Sequence, residues 1–371
     1  MEKTKVRTLI RQVRGVSYKP EDLHNELDDN SVILLRANNI DEGKINFDDV
    51  VYVDKSKVSD EQYLKDGDIL ICASSGSKNL VGKAASIRLN MECTFGAFCK
   101  VVRPKEGIEE YLGVYFQSPI YRRKISEVAI GANINNIRNE HIDELDIPVF
   151  SNDEQVSIAK RMHLIQEVIS NRKAELEKLD DLIKARFVEM FGDPILNPNG
   201  YLKEKIEKHI DLLSGYPFKS EQYVEEGINI CGGLIIMPQK IKWNECVHWS
   251  SAEGFEDYLL NENDIVMALD RPWISEGFKM AKVDAEHLPA LLIQRTARIR
   301  AIDMNQEYLY NCFINGGFDK HSYVTGSLVP HISAKDIRSF EIMIPPAELQ
   351  NQFADFVHQV DKSKVVVASV K

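Results

Sequence analysis

"IRNEHIDELDIPVFSNDEQVSIAKRMHLI" (residues 137–165) and "ISAKDIRSFEIMIPPAELQNQFADFVHQV" (residues 332–360) are one pattern written twice. At a constant offset of 195, Ile142 pairs with Ile337, Leu145 with Phe340, Ile147 with Ile342, Gln155 with Gln350 and Ala159 with Ala354, and Gly131 falls on Gly326. Upstream, "YLKDGDILICASSG" from Tyr63 answers "YLLNENDIVMALDRP" from Tyr258, with one extra residue before Asp264. Chance does not hold a register across so many elements. The chain is two copies of a unit of about 195 residues, each a mixed domain followed by a helix.

Short β-rich runs (31–35, 68–72 and 98–102; 264–268 and 297–302) are broken by Gly, Asn and Asp clusters, with helical stretches at 109–117 and 306–314 between them. That pattern predicts an α+β fold. The tail of the first unit differs. Ile158, Met162, Ile165, Ile169, Leu176, Leu179 and Ile183 follow a 4,3,4 spacing in which Arg172 fills the one missing position, a heptad seam. Ser151 or Asn152 is placed to cap this helix and "FGDP" (191–194) to end it. Its 40 or so residues would span about 60 Å, which suits a spacer. The second unit repeats the seam at Phe353, Val357, Val360 and Val367, but Lys364 interrupts it and the β-branched "VVVASV" is a poor helix former. A seam must bury its apolar side. The expectation is therefore a long antiparallel two-helix coiled coil with a shortened partner, between two pseudo-repeated domains.

Composition narrows the function. The 371 residues are 44% hydrophobic and 28% charged, as in ordinary globular proteins. No apolar run reaches the roughly 18 residues needed to cross a bilayer, and "MEKTKVRTLI" lacks the apolar stretch of a secretion signal, so a soluble cytoplasmic protein is expected. The six cysteines form no CxxC and have no His at zinc spacing. The net charge of -11 argues against a nucleic-acid partner, yet residues 97–124 and 271–300 each hold six Lys or Arg against three acids.

Catalytic candidates fail one by one. "GSKNLVGKAAS" (76–86) lacks the spacing of a phosphate loop. There is no N-P-P-[YF], G-x-G-x-x-G, HExxH or G-x-S-x-G, and His24 near Glu26 and Asp28 reads as an exposed acidic turn. The chain reads as a binding protein. Amide and guanidinium groups in tight loops are the tools for reading base edges, and both units carry them: Arg36, Asn38 and Asn39 in "RANNI"; Ser74, Ser75, Ser77, Lys78 and Asn79 in "SSGSKN", with Lys83 beyond; Arg122 and Arg123; and Asn133, Asn135 and Asn136 in "GANINN". The second unit offers Arg271, Trp273 and Lys279 in "DRPWISEGFK", Gln294 and Arg295 in "IQRTAR", and Lys320, His321 and Ser322 in "KHSYVTGS".

"RGVSYKPEDL" (14–23) with "LLRANNI", then "LSGYPFKSEQY" (213–223), "DIVMALDRPWIS", "LPALLIQRTARI" and the "DIPVFSNDEQ" and "IMIPPAELQ" leads into the two helices resemble the specificity subunits of type I restriction-modification enzymes. The resemblance covers nearly the whole chain. It implies target-recognition domains at 1–150 and 196–346, a conserved spacer helix at 151–195 and a second conserved helix at 347–371, shorter than the family pattern. It further implies a non-catalytic subunit that reads a split, asymmetric site in double-stranded DNA. Two methyltransferase subunits would dock on the helices, bind S-adenosylmethionine and methylate adenine, and a translocase-nuclease subunit would join. A protein-assembly scaffold working through its coiled coil is the alternative reading.

Overall fold

The structure, a computed structural model, describes residues 2–76, 80–88, 91–128, 135–321 and 331–369. The chain divides into two compact units, Met1–Ser170 and Asn171–Lys371. Each is a mixed α/β body, and the two repeat one topology. In unit 1 a four-stranded antiparallel sheet runs in the order Ala84–Ser86, Ile69–Cys72, Cys99–Pro104, Ile10–Arg14. Unit 2 has the same sheet as Met280–Lys282, Ile265–Ala268, Thr296–Ala301, Ile210–Ser214.

A second sheet accompanies each. In unit 1 Ser31–Leu35 pairs in parallel with Cys93–Phe95 and antiparallel with Val51–Asp54; in unit 2 Ile228–Cys231 pairs in parallel with Ala290–Leu292 and antiparallel with Val247–Trp249. The run "SVILL" is buried at every position, which is why it lacks the alternation of a half-exposed strand.

The chain passes between the two sheets at Gly15 in unit 1 and Gly215 in unit 2. A Cβ there would lie 2.2 Å from the Gly96 carbonyl oxygen or 2.0 Å from that of Ile293, so only glycine fits. The next residue bridges to the second sheet in both copies, Val16 with Gly96 and Tyr216 with Ile293.

Among the described residues the α-helices are α1 (Glu109–Gln117), α2 (Pro119–Val128), α3 (Asn139–Asp143), α4 (Asn152–Phe191), α5 (Gln306–Asn315), α6 (Phe318–His321), α7 (Ala334–Ser339) and α8 (Ala347–Ser369). Ser151 and Glu154 form a reciprocal cap at the start of α4, the hydroxyl donating to the carboxylate at 2.7 Å and the Glu154 amide donating back at 3.4 Å. Gly192 ends it with φ of +83°, its N–H donating a hydrogen bond to the Val188 carbonyl at 2.8 Å. The recurring glutamines close the lead into each long helix in the same way: Gln155 Nε2 donates to the Phe150 carbonyl and Gln350 Nε2 to that of Pro345.

Within unit 2, α8 lies antiparallel to the C-terminal half of α4. Phe187 and Phe191 each sit 5.5 Å from Phe353, and Lys364, one turn short of the far end, bonds Asp180 at 2.6 Å. Tyr308 of α5 packs on both phenylalanines. The interruption at Lys364 is thus an ion pair. Burial opposes its charge, but Asp180 and Asp361 raise its pKa overall. The "VVVASV" tail, a poor helix former by composition, is helical to Ser369 because Val367 is buried; packing overrides propensity.

The seam of α4 is not buried throughout. Ile158 packs on the unit 1 core, Met162, Leu176 and Leu179 are half-buried and Ile183 is buried, but Ile165 and Ile169 remain 50% and 52% exposed.

Candidate nucleic-acid interface

Each unit has a cleft at the same point of its topology, where the loop after the buried parallel strand faces the turn between that strand's partner and the antiparallel sheet. In unit 1 it has a volume of about 460 Å³ and is lined by Val16–Tyr18, Arg36–Asn38, Ser74 and Gly96–Cys99. In unit 2 it has a volume of about 690 Å³, with Gly232–Ile235, Asp270, Arg271, Lys279 and Ile293–Arg295 among its walls.

The unit 1 cleft is organised by Asp49, a residue the sequence did not single out. Its carboxylate accepts from Arg36 Nη2 at 3.1 Å and from Asn38 Nδ2 at 2.7 Å, so one exposed acid aims both side chains. Asn39 is buried instead. Its side chain accepts from the Arg36 amide and donates to the Asn46 and Asp49 carbonyls, holding the loop rather than facing out. Ser74 lines the cleft, and Ser74 and Ser75 pair with Asn136 and Asn135 in a short ladder. Lys83 is half-buried, Arg122 donates to the Val81 carbonyl at 2.7 Å, and Arg123 is exposed on α2, away from the lining.

In unit 2 the equivalent centre is Asp270, which sits at the position of Ser74. It pairs with Arg295 Nη1 at 3.2 Å and His331 Nδ1 at 2.6 Å. Arg271 and Arg295 both have left-handed backbones, φ +45° and +62°, an unfavourable choice for non-glycine residues that the surrounding turns enforce. Among the described residues Arg271 has no side-chain bond, and Gln294 is exposed beside it in the lining.

Lys279 turns inward, 7% exposed, and its ammonium donates to the Gly233 carbonyl. Burial first, and nearby Arg271 second, lower its pKa from the ordinary lysine value. Trp273 stacks on Phe278 at 5.2 Å against the unit 2 core, and His321 Nε2 lies 3.1 Å from Ser339 Oγ. Ser77, Lys78, Asn79, Asn133 and Ser322 lie outside the described residues, as do the side chains of Asn135 and Lys320.

The basic clusters that offset the acidic total are largely internal. Arg103 forks onto Asp68 at 2.8 Å and Arg300 onto Asp264 at 2.5 and 2.7 Å, the same ion pair in the two units. Arg298 pairs with Asp211 and Lys282 with Glu307, each at 2.5 Å. Sequence clustering cannot distinguish such pairs from a surface patch, because the partner acids lie dozens of residues away. No group of three or more His, Cys, Asp or Glu that could hold a metal occurs among the described residues. Burial pushes the thiol of Cys93 up to about 12, and raises Cys72 and Cys99 as well, so they stay protonated near neutral pH.

A family model described as the type I restriction modification DNA specificity domain matches twice, at residues 19–180 and 215–366. The chain belongs to this family. Over 180 residues this specificity-family chain is 42% identical to the type I restriction enzyme StySPI specificity subunit of Salmonella potsdam, covering 48% of this chain and 39% of that protein. It is 39% identical over 201 residues to the EcoKI specificity subunit of Escherichia coli (strain K12), covering 54% and 43%. The matches thus span about two fifths of those relatives. The S subunit of a type I restriction-modification system from M. genitalium shares the fold, with a TM-score of 0.51 at 14% identity over 99% of this chain and 91% of that one. No helix among the described residues is long and apolar enough to cross a membrane.

Proposed function

We propose that this specificity-family chain is a non-catalytic reader of double-stranded DNA in which each unit engages one half of a bipartite, asymmetric site. The observation that carries this reading is the pair of topologically equivalent clefts lined by different chemistry: Arg36 and Asn38 on Asp49 in one, Arg271, Gln294 and Arg295 around Asp270 in the other. Like frames with unlike linings suit two unlike half-sites. Arginine forks match guanine and amide groups match adenine. A carboxylate that holds such side chains in place reduces the freedom lost on binding.

Joining two weak readers makes the second contact intramolecular, so one chain achieves what neither cleft does alone. The adenine-methylating activity belongs, in this proposal, to two methyltransferase subunits that carry S-adenosylmethionine and dock on the helical region. The half-exposed Ile165 and Ile169, with Leu164 and Val168 beside them, supply an apolar strip for that contact. A translocase-nuclease subunit would join the same assembly.

Methylome sequencing of cells expressing the chain with a type I methyltransferase subunit tests the reading. A methyl-adenine motif in two unlike halves separated by unspecified bases is the expected result; no new motif contradicts it. Salt separates it from a protein-only scaffold, since DNA affinity should fall steeply with added salt.

A further inference from the structure

The clefts share a second feature, in large apolar side chains held out into solvent. Leu234 is 91% exposed and Phe98 71%, and each lines its unit's cleft. The two occupy opposite lips. Counting from the buried strand, Leu234 stands where unit 1 has Asn38; counting from its parallel partner, Phe98 stands where unit 2 has Arg295. Each cleft therefore sets one bare hydrophobe opposite one polar or cationic side chain, with the roles of the lips exchanged.

Neither side chain sits on a loose loop. The Phe98 carbonyl accepts from the Ala73 and Ser74 amides at 2.9 and 3.0 Å, and its turn is closed by the Cys99 amide on the Gly96 carbonyl at 2.8 Å. Ala97 donates to the Val16 carbonyl at 2.9 Å. At the other cleft the Gly232 carbonyl accepts from the Ile235 and Ile236 amides, and the buried Lys279 grips the carbonyl of Gly233, the residue just before Leu234. A rigid backbone that holds an apolar side chain in water gains nothing for the free protein, because that surface stays hydrated. It does make a preorganised probe. Phe and Leu are among the side chains that enter DNA between base pairs, where partial unstacking exchanges base–base for base–side-chain contact.

We propose that Phe98 and Leu234 are wedges, each entering the duplex at one base step of its half-site and unstacking it while the facing Asn38 or Arg295 meets the exposed base edges. This rests on the reading of the clefts as DNA sites. Lys279 is then a positioning residue that fixes the Leu234 turn.

The test uses the full chain assembled with its methyltransferase subunits, and duplexes bearing the motif methylated in cells. 2-Aminopurine replaces adenines in each half-site in turn. The methylated adenine itself is left natural, so that its extrusion by the partner is not mistaken for wedging. Fluorescence should rise at one step in each half. Phe98→Ala should abolish the rise in one half only and Leu234→Ala in the other only, each weakening binding about tenfold. Phe98→Leu should retain much of the rise. Unchanged thermal midpoints confirm that the variants are folded. Flat fluorescence in both halves, or alanine variants that unstack and bind like the parent, overturns the wedges while leaving DNA reading intact. Loss of sequence-specific binding by the unsubstituted assembly overturns the DNA reading and the wedges together.

Discussion

Arg36 and Asn38 share a single carboxylate, and that economy makes Asp49 a sharp probe of the first cleft. Arg36→Ala should reduce the preference for specific over random duplex by about 1–3 kcal/mol if its guanidinium reads a base. Asp49→Ala should narrow the same preference while strengthening random-sequence binding at low salt, because it frees both readers and removes a negative charge from the cleft. Competition titrations at two salt concentrations check both; an Asp49→Ala protein with undiminished discrimination would show that the acid does not position the readers. A different residue-scale claim concerns the fold. Gly15→Ala drives a methyl into the Gly96 carbonyl, and should cost about 1–3 kcal/mol of stability by denaturant unfolding. These residues mark what the sequence conceals. Asp49 lies in a loop without periodicity, and Asn39, Lys279, Trp273 and His321 look like surface readers until tertiary contacts draw them inward. A hydrophobe such as Phe98, which the sequence pattern counts into the β-rich run 98–102, reads as core, whereas the strand begins at Cys99 and leaves it in the turn.

The long helices were far more legible, because their signals are local. The Ser151–Glu154 cap, the heptad spacing and the Gly192 stop fix α4 without any distant partner. Phe187 and Phe191 stand outside that spacing signal as anchors, since the aromatic cluster they form needs Tyr308 and Phe353 from remote segments. The cap carries a pH dependence. The Ser151 hydroxyl, and then its amide, lower the Glu154 pKa below the ordinary 4.5. A depressed carboxylate stabilises the folded state above that ordinary value and loses the contribution as pH falls through its lowered pKa. Amide protection factors at the start of α4, taken relative to intrinsic exchange at each pH, should therefore fall below about pH 4.5, and Glu154→Gln should remove that fall; protection with the same pH dependence in the two proteins would contradict it. At the exposed strip, Ile165→Asp with Ile169→Asp should weaken methyltransferase co-purification without altering the thermal midpoint, because neither side chain is buried in the free chain. Retained assembly would place the docking surface elsewhere.

At the scale of the molecule, an offset of 195 residues points to two copies of one unit; the antiparallel sheet recurs strand for strand, and the second sheet recurs in three strands, to which unit 1 adds Leu23–His24. Duplication explains why the Arg103–Asp68 and Arg300–Asp264 pairs match while the cleft linings have diverged: the first maintain a frame common to both units, and the second face outward. The most direct test of separate reading by two unlike clefts is a methylome comparison of the parent chain with Arg36→Ala and Arg271→Ala, each expressed with the methyltransferase. Each substitution should relax base preference in one half of a bipartite motif and leave the other half unchanged, and the two should affect opposite halves. Relaxation of both halves by either variant, or an uninterrupted motif, would contradict it.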